Sequence, residues 1–264
     1  YPVDAFEAAL AGRVPENALL SHDLFEGIFA RSAFASDIEV IEDFPARYDV
    51  DMGRHHRWVR GDWQLLPWLI GRRRREGGGI PAIGRWKMID NLRRSLVAPL
   101  ALVALLAGWL MAPAVAIAWT LSVVLLLALP RLLPLPFGIL PDYRGTTLRS
   151  HLATLGREVA AALSQITLLL VFLADQAARM LDAIGRTIWR LFVSRRDLLE
   201  WVTAEHAGRG ALPTLAGSWR RMAPGVVLGL GSCAIAALVR PQLAPLLAPF
   251  ALAWFLAPAI ARNI

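Results

Sequence analysis

The 264-residue chain has a single cysteine, Cys233, and three tyrosines. One thiol builds neither a disulfide framework nor a cysteine metal site within the chain. Its place in an apolar stretch predicts a small buried hydrophobe. A basic start followed by an apolar core is also missing: the first twenty residues carry Asp4, Glu7, Arg13 and Glu16, so no signal peptide opens the sequence. The initiator Met is lacking too, and residue 1 reads as the middle of a longer polypeptide. A Gly-x-x-x-x-Gly-Lys-Ser/Thr loop is absent and the apolar segments do not repeat, which argues against a pump or carrier. Charge itself vanishes over residues 95–129.

What remains is strongly apolar. The hydrophobic share is 56% and mean hydropathy +0.47, outside the range of ordinary soluble domains. Against 21 acidic residues stand 28 Lys and Arg, a formal charge of +7. The basic residues flank the apolar runs, so an anionic membrane is the expected partner and nucleic acid is not.

Five regions follow. Residues 1–71 are mixed and polar, with a helical pattern at residues 3–11 and a strand-like alternation at residues 37–41. Residues 72–94 form a basic, glycine-containing linker. Residues 95–133 predict a transmembrane hairpin turning near Met111 to Pro113, each arm close to the shortest span a bilayer accepts. Residues 134–222 predict cytoplasmic or interfacial amphipathic helices, with Met180, Leu181, Ile184, Ile188, Leu191 and Phe192 on one apolar stripe. Residues 223–264 predict a second hairpin. Four crossings keep every basic segment on the cytoplasmic side, whereas a fifth at residues 160–174 would place one outside.

The chemistry lies in the first region, in the run Arg54-His-His-Arg-Trp-Val-Arg-Gly-Asp-Trp-Gln64 and in Ser21-His-Asp-Leu-Phe-Glu-Gly27 before it. On a helix, Arg54, Arg57, Trp58, Gly61 and Asp62 share a face. Guanidinium groups grip phosphate oxygens bidentately and an indole offers a plane to the C–H face of a sugar. Trp58, Trp63 and Trp68 with neighbouring arginines would equally anchor a domain at the membrane interface, but anchoring requires neither Asp62 nor Gln64. His55 and His56 are adjacent, face different sides of a helix and find no third ligand at helical spacing, so they are not read as a metal site. Asp23 is either a helix N-cap, with Glu26 completing a capping arrangement, or a carboxylate placed to deprotonate a hydroxyl.

The two stretches resemble processive inverting glycosyltransferases of the cellulose and hyaluronan synthase type. Those carry an Asp-containing acceptor-base motif, then Gln-x-x-Arg-Trp on an interface helix, then membrane spans. Here Ser21-His-Asp-Leu-Phe-Glu26 takes the first place and Arg54-His-His-Arg-Trp58 the second, with Arg54 where the wider group has Gln. The flanking runs, among them Phe44-Pro-Ala-Arg-Tyr-Asp49, Arg57-Trp-Val-Arg-Gly-Asp-Trp-Gln-Leu-Leu-Pro67 and Arg190-Leu-Phe-Val-Ser-Arg-Arg196, are similar to the cyclic β-1,2-glucan synthases.

That resemblance implies an α-helical membrane protein that begins with the C-terminal part of a GT-A-like α/β glycosyltransferase domain. It implies UDP-glucose as donor, a growing glucan as acceptor, the inner membrane of a bacterium, and a cytoplasmic transferase segment. Asp23 is then the base, with His22, Glu26, Arg54, Arg57, Trp58, Asp62, Trp63 and Gln64 around the substrates. A Mg²⁺ or Mn²⁺ ion is implied, with ligands outside this chain; Asp49-Val-Asp51 follows the base instead of preceding it and is rejected as that site. An upstream donor-binding half and a downstream phosphorylase-like domain are also implied, so the chain alone is expected to be inactive. The competing expectation is a non-catalytic membrane scaffold or assembly subunit of a polysaccharide synthesis or export system.

Overall fold

The computed structural model describes residues 3–13, 19–20, 23–30, 35–41, 45–71, 79–139, 147–200 and 214–264. Two compact units emerge. One comprises Tyr1–Val97, Ala178–Ala216 and Ala261–Ile264; the other comprises Ala98–Ala177 and Gly217–Ile260.

In the first unit, α1 (Val3–Leu10) and α2 (Asp23–Phe29) precede α3 (Tyr48–Gln64) and the one-turn α4 (Leu66–Leu69). Asp49 and Asp51 lie in the first turn of α3, where carboxylates complement the partial positive charge of unpaired backbone N–H groups. The α3–α4 run stops at Gly71, whose φ of +75° is the left-handed conformation that ends helices and that glycine adopts without strain. Leu19, Phe25, Leu65, Trp68 and Met88 form one buried cluster, with Phe25 and Trp68 meeting edge to face at 5.4 Å. A second cluster joins Val59 and Trp63 of α3 to Leu96, Met180, Ala183 and Ile184. Met180 and Ile184 of the expected apolar stripe are therefore buried, whereas Leu181 and Ile188 are exposed.

Helices long and apolar enough to cross a membrane, by length and composition, number five among the described residues. They are α5 (Ala82–Trp109), α6 (Pro113–Leu132), α7 (Leu148–Trp189, continued by a π-helical turn at Arg190–Ser194), α8 (Leu215–Val239) and, after a 3-10 turn, α9 (Ala244–Arg262). The α-helical, multi-pass membrane character expected from composition is thus present. In the second unit Leu105, Trp109, Leu173, Ala177, Cys233 and Trp254 lie in one buried core. Its two deepest indoles are satisfied: Trp109 Nε1 donates to Thr120 Oγ1 at 3.0 Å, and Trp254 Nε1 to the Leu170 carbonyl at 2.9 Å. Cys233 is buried.

Several elements differ from the sequence expectation. Residues 37–41 form no strand, and Ile38, Val40 and Ile41 are exposed. A strand needs a partner edge, and among the described residues there is none to pair with. Residues 82–94, assigned to the linker, are the first turns of α5. Asp90 supports them by bonding Arg93 and Arg94, three and four positions on. Residues 148–189 are a single 42-residue helix in place of several amphipathic ones. The hairpin expected from residue 223 opens with a helix that begins eight residues earlier, at Leu215, and carries Pro224 inside it. The GT-A-like α/β sheet is not among the described residues.

Candidate functional site

The candidate residues of α3 fall into three groups. On the outward face Arg54 Nη2 bonds Asp51 Oδ1 at 2.8 Å, and its guanidinium carbon sits 4.7 Å from the ring centre of Trp58. His55 meets the same indole edge to face at 5.4 Å, while its Nδ1 lies 3.1 Å from the Asp51 carbonyl. Trp58 is 39% exposed, so an apolar plane with a cation on it is available to a ligand. Arg57 is half-buried beside it.

Two further α3 side chains, Asp62 (on the Trp58 stripe) and Trp63, reach α5. Asn91 Nδ2 donates to Asp62 Oδ1 at 2.9 Å, and burial raises the Asp62 carboxyl above the usual range, opposed by that hydrogen bond and by the charge of Arg94. Trp63 Nε1 donates to Ser95 Oγ at 2.9 Å, with its rings in the Val59–Ile184 cluster. Trp63 therefore ties α3 to its neighbours.

The third group, His56, Arg60 and Gln64 at four-residue steps, is the part that sequence reasoning missed in Arg60 and valued differently in Gln64. His56 Nε2 lies 2.9 Å from Asp182 Oδ2. Arg60 is buried and donates to the Glu200 carbonyl at 2.7 Å and to the Leu198 carbonyl at 3.4 Å. Gln64, 1% exposed, donates from Nε2 to the Leu198 carbonyl at 2.8 Å and accepts at Oε1 from the Leu20 backbone N–H at 2.6 Å. Both ends of its amide are thus held by backbone groups. The strap at residues 195–200 that Arg60 and Gln64 grip opens with two left-handed residues, Arg195 (φ 53°) and Asp197 (φ 58°). Arg190 braces it with Nη2 on Glu200 Oε2 at 2.6 Å and Nη1 on the Asp197 carbonyl at 2.6 Å, and the Arg190 bond holds the Glu200 carboxyl below its ordinary value. The four-residue polar step was visible in the sequence; its partners, 44 to 140 positions away, were not.

Asp23 is exposed and is itself the first residue of α2, with Glu26 half-buried on the same turn. His22 lies outside the described residues. Leu20, bonded to Gln64, and Phe25, packed on Trp68, flank Asp23, so the Asp23 turn is joined to the C-terminal end of α3 and to α4. His55 and His56 face different partners. Among the described residues no group of three His, Cys, Asp or Glu side chains is placed to hold a metal ion. Asp49 is paired with Arg47 and Asp51 with Arg54, both at 2.8 Å, so these carboxylates are already engaged by guanidinium charge and do not fit a divalent ion.

Fold and site together define a multi-pass helical membrane protein with a polar helical unit that presents a carboxylate turn beside an Arg- and Trp-bearing helix. No family model matches the chain. It is 45% identical over 262 residues to the cyclic beta-(1,2)-glucan synthase NdvB of Rhizobium meliloti (strain 1021). That similarity covers 99% of this chain and spans 9% of the relative's length.

Proposed function

We propose that this chain is the acceptor-side, membrane-proximal part of an inverting glucosyltransferase that builds cyclic β-1,2-glucan from UDP-glucose. The observation that carries the reading is the 45% identity to a cyclic β-(1,2)-glucan synthase, which runs through both the Asp23 turn and α3 in one match over 99% of the chain. The bond from Leu20 to Gln64 that joins those two elements supports it.

In the proposed reaction the Asp23 carboxylate takes the proton of the acceptor's 2-hydroxyl as that oxygen forms a bond to the anomeric carbon from the face opposite UDP. The anomeric carbon–phosphate oxygen bond breaks, UDP leaves with the electron pair, and the new linkage is β. Arg57 grips the diphosphate, where a guanidinium fork matches paired phosphate oxygens. Trp58, with Arg54 on its ring, offers the acceptor glucose a stacking plane. Asp62 lies one turn beyond Trp58 on the same helix with its carboxylate held by Asn91, Glu26 lies on the turn that carries the base, and His22 directly precedes the base in sequence. The donor-binding half, the Mg²⁺ or Mn²⁺ ligands and a phosphorylase-like domain belong to the polypeptide beyond this chain, and by itself the chain forms no glucan. The transferase unit faces the cytoplasm of the bacterial inner membrane.

The test is Asp23→Asn in the full-length polypeptide that carries this chain. Glucan formation from UDP-glucose should fall at least about a hundredfold, the scale of losing a general base, with the protein still inserted in the membrane. Near-normal glucan output would overturn the assignment.

A further inference from the structure

We propose that Gln64 is a positioning residue for the proposed transfer, one that fixes the Asp23 turn against the strap at residues 195–200. The inference rests on the assignment of Asp23 as the base and adds to it a residue that touches neither substrate.

The case begins with burial. A carboxamide at 1% exposure has four hydrogen-bonding sites to satisfy away from water, and leaving a buried one unmade costs more than a made one contributes. Gln64 makes two of its bonds to backbone groups from opposite directions along the chain: Leu20 N–H, 44 positions before it, and the Leu198 carbonyl, 134 positions after it. Neither Leu20 nor residues 195–200 belong to a regular element, so no helical ladder fixes their position. Residue 20 lies three positions before Asp23, at most about 11 Å of extended chain, so a shift at Leu20 acts close to the carboxylate.

Arg60, one turn earlier on the same face, holds the strap at the Glu200 and Leu198 carbonyls. The strap is thus gripped at two α3 positions, whereas the Leu20 amide is held by Gln64. A side chain so arranged transmits the position of the strap to the carboxylate turn. Because a misplacement of about 1 Å can cost on the order of a hundredfold in rate, such a residue acts on turnover while leaving donor affinity in place. Filling space alone is an insufficient account of Gln64: a methionine has nearly the same volume and needs no partner, yet the amide here is used at both ends.

The experiment compares wild type, Gln64→Met, Gln64→Glu and Asp23→Asn in the full-length polypeptide. It measures initial rates of glucan formation across UDP-glucose concentrations and the number of UDP-binding sites per protein. Gln64→Met removes both bonds and should lower kcat about thirtyfold or more, with KM for UDP-glucose and the number of UDP sites within about twofold of wild type. Gln64→Glu keeps an oxygen to accept from Leu20 N–H and should recover at least about threefold of the lost rate.

A Gln64→Met rate within about threefold of wild type overturns the proposal. So does a loss of rate matched by an equal loss of UDP sites, which is the signature of a merely structural residue. Equal rates in the Met and Glu variants overturn it as well. Should Gln64→Met fail to accumulate, Gln64→Glu decides alone: a kcat reduced about three- to tenfold at unchanged KM supports the proposal, and a wild-type kcat or a loss matched in UDP sites overturns it. A dead Asp23→Asn beside a normal Gln64→Met removes only the positioning role, whereas an active Asp23→Asn removes the base and the positioning role with it.

Discussion

His56 and Asp182 are 126 positions apart in the chain, yet His56 Nε2 lies 2.9 Å from Asp182 Oδ2. With the Arg60–Glu200 and Gln64–Leu198 bonds, this contact puts α3 and the end of α7 on one side of any membrane the chain enters. Between them lie α5, α6 and α7, each long and apolar enough to cross. Parity then applies: a chain that leaves one side and returns to it crosses an even number of times. We expect that two of these three helices cross and one does not.

The expected exception is α7: its uncharged run, residues 159–174 between Glu158 and Asp175, is shorter than the about 20 residues a span takes, whereas α6 has no charge before Arg131, and charges at the bilayer centre are costly. Cysteines placed singly at Gly79, Leu199 and Asn263 of a cysteine-free full-length protein should therefore react with an impermeant thiol reagent from the same side. Cysteines at Met111 and Gln242, in the turns between α5 and α6 and between α8 and α9, should react from the other. Labelling of Leu199→Cys from the Met111 side would show that α7 spans.

The His56 contact also has a pH dependence. Burial holds the His56 imidazole below its ordinary value, and the hydrogen bond and charge of Asp182 only partly offset it, with Arg60 and Arg186 adding repulsion. A folded-state value below that of the unfolded chain means that the unfolded chain binds more protons between the two. Stability of the α3 contact is then full above the unfolded value of about 6.5 and is lost as pH falls through the folded one, with a slope of at most about 1.4 kcal/mol per pH unit. Amide hydrogen exchange in α3, corrected for intrinsic rates, should quicken between about pH 7 and pH 5 in the wild type. His56→Gln keeps a donor to Asp182 but does not titrate, so it should flatten this dependence. An equal pH dependence in both proteins would remove His56 as its source.

How much of this was legible beforehand depended on whether the information was local. The apolar, uncharged run at residues 95–129 is a local property, and it led to α5 and α6 with the turn between them. The common face of Arg54 and Trp58 follows from the 3.6-residue period alone, and the cation indeed lies on the indole. Gln64 shows the opposite case. Nothing near it in sequence announces Leu20 or Leu198 as partners, because those bonds depend on where α7 ends and on two left-handed residues, Arg195 and Asp197, that no propensity argument assigns to Arg or Asp. The alternation at residues 37–41 misled for a related reason. A period of two describes which residues share a face, but strand formation also needs an edge to pair with.

The tight packing of α8 against α7 yields a prediction within the second unit. A Cβ built on Gly225 falls 2.5 Å from Asp175 Cα and 2.9 Å from its backbone nitrogen, and on Gly229 it falls 2.6 Å from the Trp254 ring. Gly231, two positions further on the same helix, has nothing within 4 Å. These glycines therefore separate two effects that one substitution normally mixes. At all three, alanine improves helix propensity, but at Gly225 it meets backbone, which cannot rotate away as a side chain can. Gly225→Ala should destabilise the protein by about 1–3 kcal/mol, the ordinary range for overpacking. Gly229→Ala should cost less than Gly225→Ala wherever the Trp254 ring can shift. Gly231→Ala should lie within about 0.5 kcal/mol of wild type. The measurement is the thermal midpoint of the detergent-solubilised protein, with limited proteolysis of α8 as a local check. Equal effects at Gly225 and Gly231 would mean that the α7–α8 approach is looser than the 2.5 Å separation implies.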